Sequence, residues 1–478
     1  MKRAAALIAA AALLSACVDT PSTTPSEVAL KSEALGLSAA PAPTVPDRWW
    51  TAFNDPQLDA LVDQALKGSP TLAAALARVR EAQSELSSAR ARTYPQVTLD
   101  GQDVYQRFSK NYIIPPPFAG TYRWFGQVQA NLTWSLDFFG KEETQIARAR
   151  AGARAAALDA TAARLLLAGS VTQAYVALWR AEVLVDVGGE AVAQREGIAA
   201  LTAGRVRAGL DVLQSQKQAG ALLALAREDL TRAVAARDLA VHQIAALIGR
   251  GADAYDIKRP ALSDTVLALP ATLPADLLAR RADIAAAQAR IEAAFQGREV
   301  ARKAYYPDID LVALAGTAAI GLGNLFSSSS FQLGAGPAIH LPIFDAGKLD
   351  ADYAGATAGL DEAVADYNET VVSAVRQTAD AITTLDSLQN QAADQRAALA
   401  DAQSSFELAR ERYRSGLSPQ QNTLDAQGLL IQAQTGSAAL AADTLSARVT
   451  LLMAIGGGYV PQSDSTANAI SKPDASHE

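Results

Sequence analysis

Few residues of this 478-residue chain have the types and spacing that chemistry requires. The three histidines, His242, His340 and His477, lie far apart, so they do not form the short-spaced ligand sets that bind metals. The sequence contains no nucleophile elbow, phosphate-binding loop or dinucleotide fingerprint. The net charge of −8 gives no basic footprint for nucleic acid. The sequence therefore predicts no catalysis, metal, cofactor or nucleic-acid partner, and it leaves one reactive side chain, the thiol of Cys17.

The residues around Cys17 indicate that this thiol carries lipid. Two basic residues precede an apolar run over 4–14, which is too short to span a bilayer and is typical of a secretory signal. The sequence Leu-Ser-Ala-Cys that follows resembles a bacterial lipobox, whose cysteine becomes the acylated first residue of the mature protein. Val18, rather than aspartate, comes next, so the usual inner-membrane retention signal is absent. We expect a signal peptide over 1–16 and an extended lipidated tether over 17–46.

The elements after the tether are arranged twice. Gly140-Lys141 matches Gly347-Lys348, and Gly209-Leu210 matches Gly416-Leu417, both at an offset of 207 residues. Each copy reads helix, strand, loop, strand, long helix, turn, helix. Two long copies indicate a duplication rather than a solenoid of short repeats. The predicted boundaries are 47–260 for the first repeat, 261–460 for the second and 461–478 for a disordered tail.

Each repeat contains two runs with the alternation of a membrane barrel strand. Over 122–138 the even positions are apolar or glycine, with aromatic residues towards both ends, and the odd positions are polar except Phe125. One lipid-facing and one lumen-lining face give this pattern; an amphipathic strand on a soluble core is the alternative, although soluble strands are usually shorter. The run 331–343 repeats the pattern, and weaker runs around Leu99 and Leu311 complete four strands. Because a spanning sheet must close and known barrels have at least eight strands, several chains must pool their strands. A dimer would give eight strands and a trimer twelve.

The longest segments without proline predict very long helices. A helix over 140–206 would extend for about 100 Å, and its counterpart covers 347–414. In each copy two shorter helices together approach the length of the long one. We therefore expect two shorter helices stacked end to end beside one long partner, in an arrangement made twice. The predicted shorter helices are 69–93, 211–249, 283–305 and 419–455.

A heptad-like spacing predicts which side of the second long helix packs against its partner. The predicted seam positions alternate at spacings of four and three residues. They are Val371, Val375, Thr378, Ile382 and Leu385, and the seam resumes at Ala402, Phe406, Ala409 and Tyr413.

Several short motifs occur in a fixed order along the chain. They are Trp49-Trp50, Asp55-Pro56, Leu273-Pro274, Tyr306-Pro307, the strand-to-helix joints at Gly140 and Gly347, and Arg412-Tyr413-Arg414-Ser415-Gly416-Leu417. In these motifs the chain resembles the TolC-like outer-membrane efflux family, in the lipoprotein branch that serves tripartite drug pumps.

The resemblance implies a mainly α fold with membrane β structure, in which a homotrimer forms a twelve-stranded β-barrel and a tunnel of long helical hairpins. It implies a passive exit duct for drugs in the outer membrane that extends into the periplasm. The implied partners are outer-membrane lipid, a periplasmic adaptor (membrane fusion) protein and an inner-membrane transporter of the RND type.

The resemblance also implies a periplasmic gate. Family members carry a lumen-facing aspartate about nine residues after the second turn glycine, and here that residue is Asp425. Three copies would form an anionic ring near the closed end. Asn422 replaces a further aspartate of some members, and Gln218 is the equivalent of Asp425 in the first repeat. An ordinary solvated aspartate is the alternative.

The two helical turns are the expected contacts for the adaptor. Their glycines allow a tight reversal, and their arginines could bind acids or carbonyls of the adaptor, although arginines near a helix C-terminus also favour the helix dipole. The residues are Arg205, Arg207, Gly209 and Leu210 in the first turn, and Arg412, Arg414, Gly416 and Leu417 in the second.

Two other functions remain open. The chain could be the exit duct of a type I protein-secretion system, or an envelope scaffold lipoprotein that conducts nothing. The drug sensitivity of a deletion strain would distinguish a drug-efflux duct from a protein-secretion duct. Conductance in planar bilayers would distinguish either duct from a scaffold that conducts nothing.

Overall fold

The computed structural model describes residues 22–31, 35, 37, 45–111, 113–251, 257–262 and 277–459. The predicted signal peptide, the lipidation site Cys17 and the tail over 461–478 lie outside these residues. Among the described helices, none combines the length and the hydrophobicity that a membrane-crossing helix needs.

The described chain is mainly helical with one four-stranded sheet, as predicted. The helices and strands, in order, are α1 (Pro56–Gly68), α2 (Pro70–Ala91), β1 (Gln96–Arg107), β2 (Tyr122–Ser135), α3 (Lys141–Arg207), α4 (Leu213–Leu247), α5 (Ala282–Lys303), β3 (Asp308–Ile320), β4 (Phe331–His340), α6 (Lys348–Arg414) and α7 (Gln420–Ala454).

The predicted order of elements is confirmed in both copies, and α3 and α6 each contain 67 residues. One helix escaped the sequence reasoning, namely α1. It begins at an ordinary N-terminal signal, because the side chain of Asp55 accepts a hydrogen bond from the Gln57 amide at 2.9 Å and Pro56 occupies the first turn. The Asp55-Pro56 pair was therefore a readable helix start.

The sheet is an antiparallel meander in the order β1-β2-β3-β4. Its register places Leu99 opposite Ala130, Ala130 opposite Ala315 and Ala315 opposite Leu333, so one face is apolar across all four strands. That face is open to the surroundings, since Leu99 and Leu333 are 74% and 73% exposed. On the other face Gln129 donates to Asn131 at 2.9 Å, and Asn131 donates to Asp100 at 2.6 Å. The alternation predicted from sequence thus separates an apolar and a polar face.

The chain divides into two compact units that cut across the sequence repeats. The first contains all four strands, and its ranges are Met1–Ala29, Arg78–Ala157 and Ala286–Asn368. The second contains the largest hydrophobic cluster, and its ranges are Leu30–Ala77, Leu158–Ala285 and Glu369–Glu478. Trp49, Trp50, Leu58, Tyr175 and Ile244 form the centre of that cluster and are at most 1% exposed.

The predicted stacking of shorter helices is confirmed where their ends meet. After α4, Gly249 has a φ of +74°, and a Cβ there would lie 2.2 Å from the carbonyl oxygen of Gly68, just before α2. Only glycine permits that approach. After α7, the guanidinium of Arg281 donates to the carbonyl of Ala454 at 2.9 Å, immediately before α5. Asp283 accepts a hydrogen bond from this arginine at 2.6 Å. Burial raises the pKa of Asp283, but the hydrogen bond and charge of Arg281, together with backbone hydrogen bonds, outweigh it and leave the pKa lowered.

The seam along α6 differs in part from the prediction. Val371, Thr378 and Leu385 are buried as expected. Val375 and Ile382 are only half-buried, whereas the preceding residues Ala374 and Ala381 are buried. At these two levels the small side chains of Ala374 and Ala381 occupy the buried positions, and Val375 and Ile382 lie at the edge of the contact.

Candidate functional site

Both helical turns close with the same hydrogen-bonding pattern. In the first, the Leu210 amide donates to the Arg205 carbonyl at 2.8 Å and Gly209 has a φ of +73°. In the second, the Leu417 amide donates to the Arg412 carbonyl at 2.8 Å, and Gly416 has a φ of +76°. This is a Schellman end, which needs a left-handed residue at the glycine position. The backbone conformation, rather than a shortage of space, therefore requires glycine at both turns.

The turns expose a pair of leucines and most of the predicted arginines. Leu210 and Leu417 are 66% and 72% exposed. Arg207, Arg412 and Arg414 are exposed, and Arg207 donates to the carbonyl of Ala203 at 3.4 Å in its own helix.

Arg205 is placed differently from the other predicted arginines. It is half-buried, and its guanidinium lies 5.0 Å from the ring centroid of Tyr413, within the range of a cation–π contact. Its Nε lies 3.9 Å from a carboxylate oxygen of Asp211. Arg205 is thus engaged within the chain.

A cluster of polar side chains links the two turns, and its members Thr202, Tyr413 and Gln420 are buried. We call it the tip cluster: Thr202, Arg205, Asp211, Tyr413 and Gln420. The hydroxyl of Tyr413, a residue 1% exposed, donates to Asp211 at 3.2 Å and lies 3.1 Å from the Thr202 hydroxyl. The amide of Gln420 donates to the Thr202 hydroxyl at 2.7 Å. Since Tyr413 and Gln420 belong to the second repeat and Asp211 and Thr202 to the first, the tip cluster joins the α3–α4 hairpin to the α6–α7 hairpin.

The electrostatics of the tip cluster keep Asp211 ionised. Burial raises the pKa of this carboxyl, but hydrogen bonds from Ser215, the Val212 amide and Tyr413, with the charge of Arg205, outweigh it and leave the pKa below its usual value of 3.8. For Tyr413, burial is the largest cause of a raised pKa, so the phenol stays protonated and can donate. A lowered carboxyl pKa stabilises the folded contact above pH 3.8, and the stabilisation is lost only as pH falls through the folded-state pKa. The tip cluster is therefore intact at neutral pH.

The predicted gate residues lie on exposed faces of α4 and α7. Asp425 accepts a hydrogen bond from the side chain of Gln421 at 2.7 Å, and the carbonyl of the Gln421 side chain accepts one from Gln218 at 3.1 Å. The structure therefore brings Gln218 and Asp425 into one chain of polar contacts through Gln421. Asn422 is exposed on the same turn of α7.

The contact between α3 and α7 continues beyond the tip cluster as a series of glutamines at heptad spacing. Gln420, Gln427 and Gln434 each reach a polar side chain of α3. Gln427 is fully buried and donates to Gln194 at 3.2 Å, while its own carbonyl oxygen has no partner in the described chain. Polar groups in a buried helical seam fix its register at a cost in stability.

A groove of about 560 Å³ opens beside the second turn. Apolar atoms make up most of its lining, which also includes two exposed arginines, Arg410 and Arg414. The other lining residues are Ala193, Gln194, Gly197, Ile198, Leu201, Phe406, Tyr413 and Thr423.

At the strand-to-helix joints, an aspartate begins each long helix. Asp137 accepts from the amides of Glu142 and Glu143 at 3.0 and 2.9 Å, and Asp345 accepts from Leu349 at 2.7 Å. The joint glycines, Gly140 and Gly347, have φ of +70° and +85°. These aspartates satisfy the free N–H groups and favour the positive end of the helix dipole.

Sequence reasoning missed the tip cluster and the glutamine series. Tyr413 was assigned to the packing seam and to the second-turn motif without a polar partner, and Asp211 was taken as the start of α4, which begins at Leu213. The heptad spacing of the three glutamines was a readable signal, since glutamine is rarely fully buried. In the described part of the chain, no group of three or more His, Cys, Asp or Glu residues could hold a metal ion.

Comparison with known proteins gives consistent results for both repeats. The model of the family described as outer membrane efflux protein matches residues 61–250 and 273–457. The fusaric acid resistance protein FusA of Burkholderia cepacia is 35% identical over 372 residues, covering 75% of this chain and 69% of that protein. The pyoverdine export outer membrane protein OpmQ of Pseudomonas aeruginosa is 29% identical over 472 residues, covering 96% and 97%. The crystal structure of the outer membrane protein VceC from Vibrio cholerae superposes with a TM-score of 0.80 at 31% identity, covering 87% of this chain and all of that one.

Proposed function

The chain belongs to the outer membrane efflux protein family and is an outer-membrane efflux channel, and from this premise we propose that it is the passive exit duct of a tripartite system for small molecules. Its fold is that of the TolC-like channels. The single observation that carries the finer proposal is the pairing of an exposed apolar sheet face with two exposed helical turns in one chain. The first suits lipid, and the second suits a protein partner. The duct needs no catalytic group or cofactor of its own.

We propose that the duct is a homotrimer with a twelve-stranded barrel. β1 and β4 are the edge strands of the four-stranded sheet. Unpaired edges cannot persist in lipid, so each edge must pair with a neighbouring copy. The exposed Leu99 and Leu333 on the apolar face support contact with outer-membrane lipid.

The helical turns are the proposed contact for a periplasmic adaptor. Exposed Leu210 and Leu417 offer apolar contact, and Arg207, Arg412 and Arg414 offer charge at the periphery. The groove lined in part by Arg410 and Arg414 continues this surface, and most of its lining is apolar. Such a surface favours a helical partner with an apolar face and acidic flanks. An inner-membrane transporter, of the RND type by resemblance, would supply the energy.

The proposed gate combines the Asp425 ring with the tip cluster. In a trimer, three Asp425 side chains would place like charges around the lumen. The tip cluster holds the α6–α7 hairpin to the α3–α4 hairpin by hydrogen bonds at 3.1 and 3.2 Å. Opening would require these contacts to separate, since the turns at Gly209 and Gly416 are conformationally fixed.

The proposed location is the outer membrane, with an acyl anchor on Cys17 and the helices in the periplasm. The proposed cargo is small organic compounds, because the relatives reported above are named for fusaric acid resistance and pyoverdine export. Neither name concerns protein cargo, which favours the efflux duct over the protein-secretion duct.

The test combines three measurements on one purified protein and one deletion strain. We expect the mass of a trimer in detergent, discrete ion conductance in planar bilayers, and drug sensitivity on deletion that the intact gene reverses. Normal drug resistance together with loss of a secreted protein would favour the secretion duct. A monomer without conductance would favour the scaffold lipoprotein.

A further inference from the structure

The two hairpins of the sheet share one register, and the internal repeat relates them residue by residue. From β2 to β4 the sequence offset is 207 residues, as for the joint glycines, and from β1 to β3 it is 212, as for the Tyr-Pro pair directly before each strand. These offsets convert Gln96 opposite Thr133, a pair of the first hairpin, into Asp308 opposite His340. That is the pair observed in the second hairpin. The repeat therefore predicts strand contacts as well as strand positions.

The edge strands β1 and β4 lack a contact that the middle strands make. β2 pairs antiparallel with β3, and in this pair Thr133 lies opposite Val312. Under the same two offsets β4 takes the place of β2, and β1 takes the place of β3. Because β1 and β4 lie at opposite edges of the sheet of one chain, the equivalent contact joins β4 to β1 of another copy. In it, His340 lies opposite Asp100 of the partner subunit.

We propose that β4 pairs with β1 of a neighbouring copy in this single register, which places the imidazole of His340 beside the carboxylate of the partner's Asp100 on the polar face of the shared sheet. This inference rests on the proposed homotrimer and specifies how its copies join. The contact joins two different edges, and such head-to-tail contacts form a ring when their rotation closes. Three of them would complete the twelve-stranded barrel and leave no unpaired edge in lipid.

The ionisable residues of the two edges favour the same register independently. The even-numbered residues of β1 lie on the polar face, and Asp100 is the only ionisable one among them. β4 contains one ionisable residue, His340, on the same face. A slip by one residue would turn the side chains of one strand to the other face. A slip by two residues would place Thr98 or Gln102 opposite His340. The register that the repeat predicts is thus the one that joins the two ionisable groups.

Each of these two side chains is available for the bond. In its own chain His340 is exposed and lies opposite Asp308, but Lys141 holds the carboxylate of Asp308 at 2.9 Å. Asp100 accepts two hydrogen bonds from its own hairpin, at 2.6 and 3.2 Å, and both end on its Oδ2. Among the described residues none donates to its Oδ1, so this oxygen can accept from the imidazole of a neighbouring copy. A carboxylate acceptor makes such a bond stronger than one between neutral groups.

The end of the sheet nearest the helices gives a consistent result. Beyond the β2–β3 pair, the Leu136 amide donates to the Ile309 carbonyl at 3.0 Å. The same offsets predict that the Ile343 amide donates to the carbonyl of the partner's Val97. Both side chains are apolar and exposed in the single chain. The proposed pairing would bring them together on the apolar face.

Cysteine cross-linking of the full-length protein in its membrane tests the register. The double variant Gly336→Cys/Val104→Cys places the two cysteines directly opposite each other across the proposed interface, with Cα atoms about 4.5–5.5 Å apart. A Cβ at Gly336 meets no atom within 4 Å, so the side chain fits. The matched controls are Gly336→Cys/Gln102→Cys and Gly336→Cys/Gln106→Cys, which shift the second cysteine by two residues on the same face. That shift of about 6.8 Å along the strand takes the Cα atoms beyond the range of a disulfide.

We expect the first variant to form covalent dimers and trimers under mild oxidation at least about tenfold faster than either shifted variant. Each single variant reports any bond to Cys17, the only cysteine of the natural sequence. Faster cross-linking of a shifted variant, or no cross-linking in a protein with the mass of a trimer, would overturn the register. A monomeric mass in detergent would refute the homotrimer itself, so the two failures are distinguishable.

A double-mutant cycle tests the contact between His340 and Asp100. Asp100→Asn and His340→Gln should each raise the rate of trimer dissociation in heated detergent by at least about threefold, because each removes one ionisable partner. The double variant should dissociate no faster than the faster single variant, since both remove the same bond. Asp103→Asn is the matched control, because it neutralises an aspartate on the opposite face of β1. Single effects that multiply in the double variant would overturn the contact.

Discussion

Replacing Tyr413 by phenylalanine should weaken the closed state of the channel without disturbing its fold. The substitution keeps the buried ring and its contact with Arg205 and removes only the hydroxyl. That hydroxyl is the donor to Asp211 at 3.2 Å and lies 3.1 Å from Thr202. Both partners keep other contacts, because Asp211 accepts from the Val212 amide and Thr202 accepts from Gln420. The loss is therefore confined to the link between the two hairpins.

The magnitude follows from the burial and charge of the partners. A hydrogen bond to a charged group contributes about 1.5–3 kcal/mol, and the donor here belongs to a residue that is 1% exposed. If the link exists only in the closed state, its loss shifts the balance towards opening by about 10- to 100-fold per chain. If the three chains of a trimer open together, the shift in the open-to-closed equilibrium of the trimer is larger than the shift for one chain.

Single-channel recording in planar bilayers measures this shift. We expect Tyr413→Phe to raise the open fraction and the mean conductance, and to leave the melting temperature of the trimer within a few degrees. The matched control is Tyr367→Phe, which removes a hydroxyl from another buried tyrosine of α6. A Tyr413→Phe channel with wild-type open fraction and conductance would refute the view that the tip cluster holds the channel closed.

Three other changes test the remaining parts of the site. Asp425→Ala should loosen the closed end and raise the conductance, with Asp401→Ala, which removes an exposed aspartate of α6 outside the gate, as its control; unchanged conductance would count against the charged ring. Gly209→Pro or Gly416→Pro should abolish co-purification of the adaptor and drug resistance while the trimer stays folded, because proline cannot adopt a positive φ; retained resistance would contradict this. Gln427→Leu should keep or raise the melting temperature, since it removes an unpaired buried oxygen, whereas Gln427→Ala should cost about 2–4 kcal/mol through the cavity it leaves; equal losses in both would show that the amide itself stabilises the fold.

The sequence predicts the architecture well because local patterns determine it. The absence of proline and the positions of Gly140 and Gly347 locate both long helices to within one residue. The alternation of apolar and polar residues locates the strands, because a strand with one face in lipid must be apolar at every second position. The tip cluster could not be predicted in this way. Tyr413 and Asp211 are separated by 202 residues, and their contact depends on the register of one hairpin against the other.

The N-terminal segment over residues 22–31 shows a second limit of sequence reasoning. A segment rich in serine, threonine and proline predicts an extended tether, and it gives no sign of what the tether contacts. Ser26 and Asp361 are 335 residues apart, and two of the three hydrogen bonds to Asp361 come from the main-chain amides of Ser26 and Glu27. The contacts depend on the packing of α5 against α6, which places Arg298, Asp361 and Asn368. Only the folded arrangement reveals them.

The differences between the two repeats point to the part of the molecule that moves. At the offset of 207 residues, Tyr413 corresponds to Val206, and Gln427 corresponds to Gly220. The turn glycines are kept in both repeats, so the hairpin geometry is shared. Tyr413, Gln420 and Gln427 of the α6–α7 hairpin are buried polar side chains, and their counterparts at this offset, Val206, Leu213 and Gly220, carry no polar side chain. Hydrogen bonds between buried groups can be exchanged for bonds to water at a small net cost, whereas exposing an apolar seam costs free energy in proportion to its area. We therefore expect the α6–α7 hairpin to separate from α3 on opening, while the apolar cluster around Trp49 and Tyr175 stays closed.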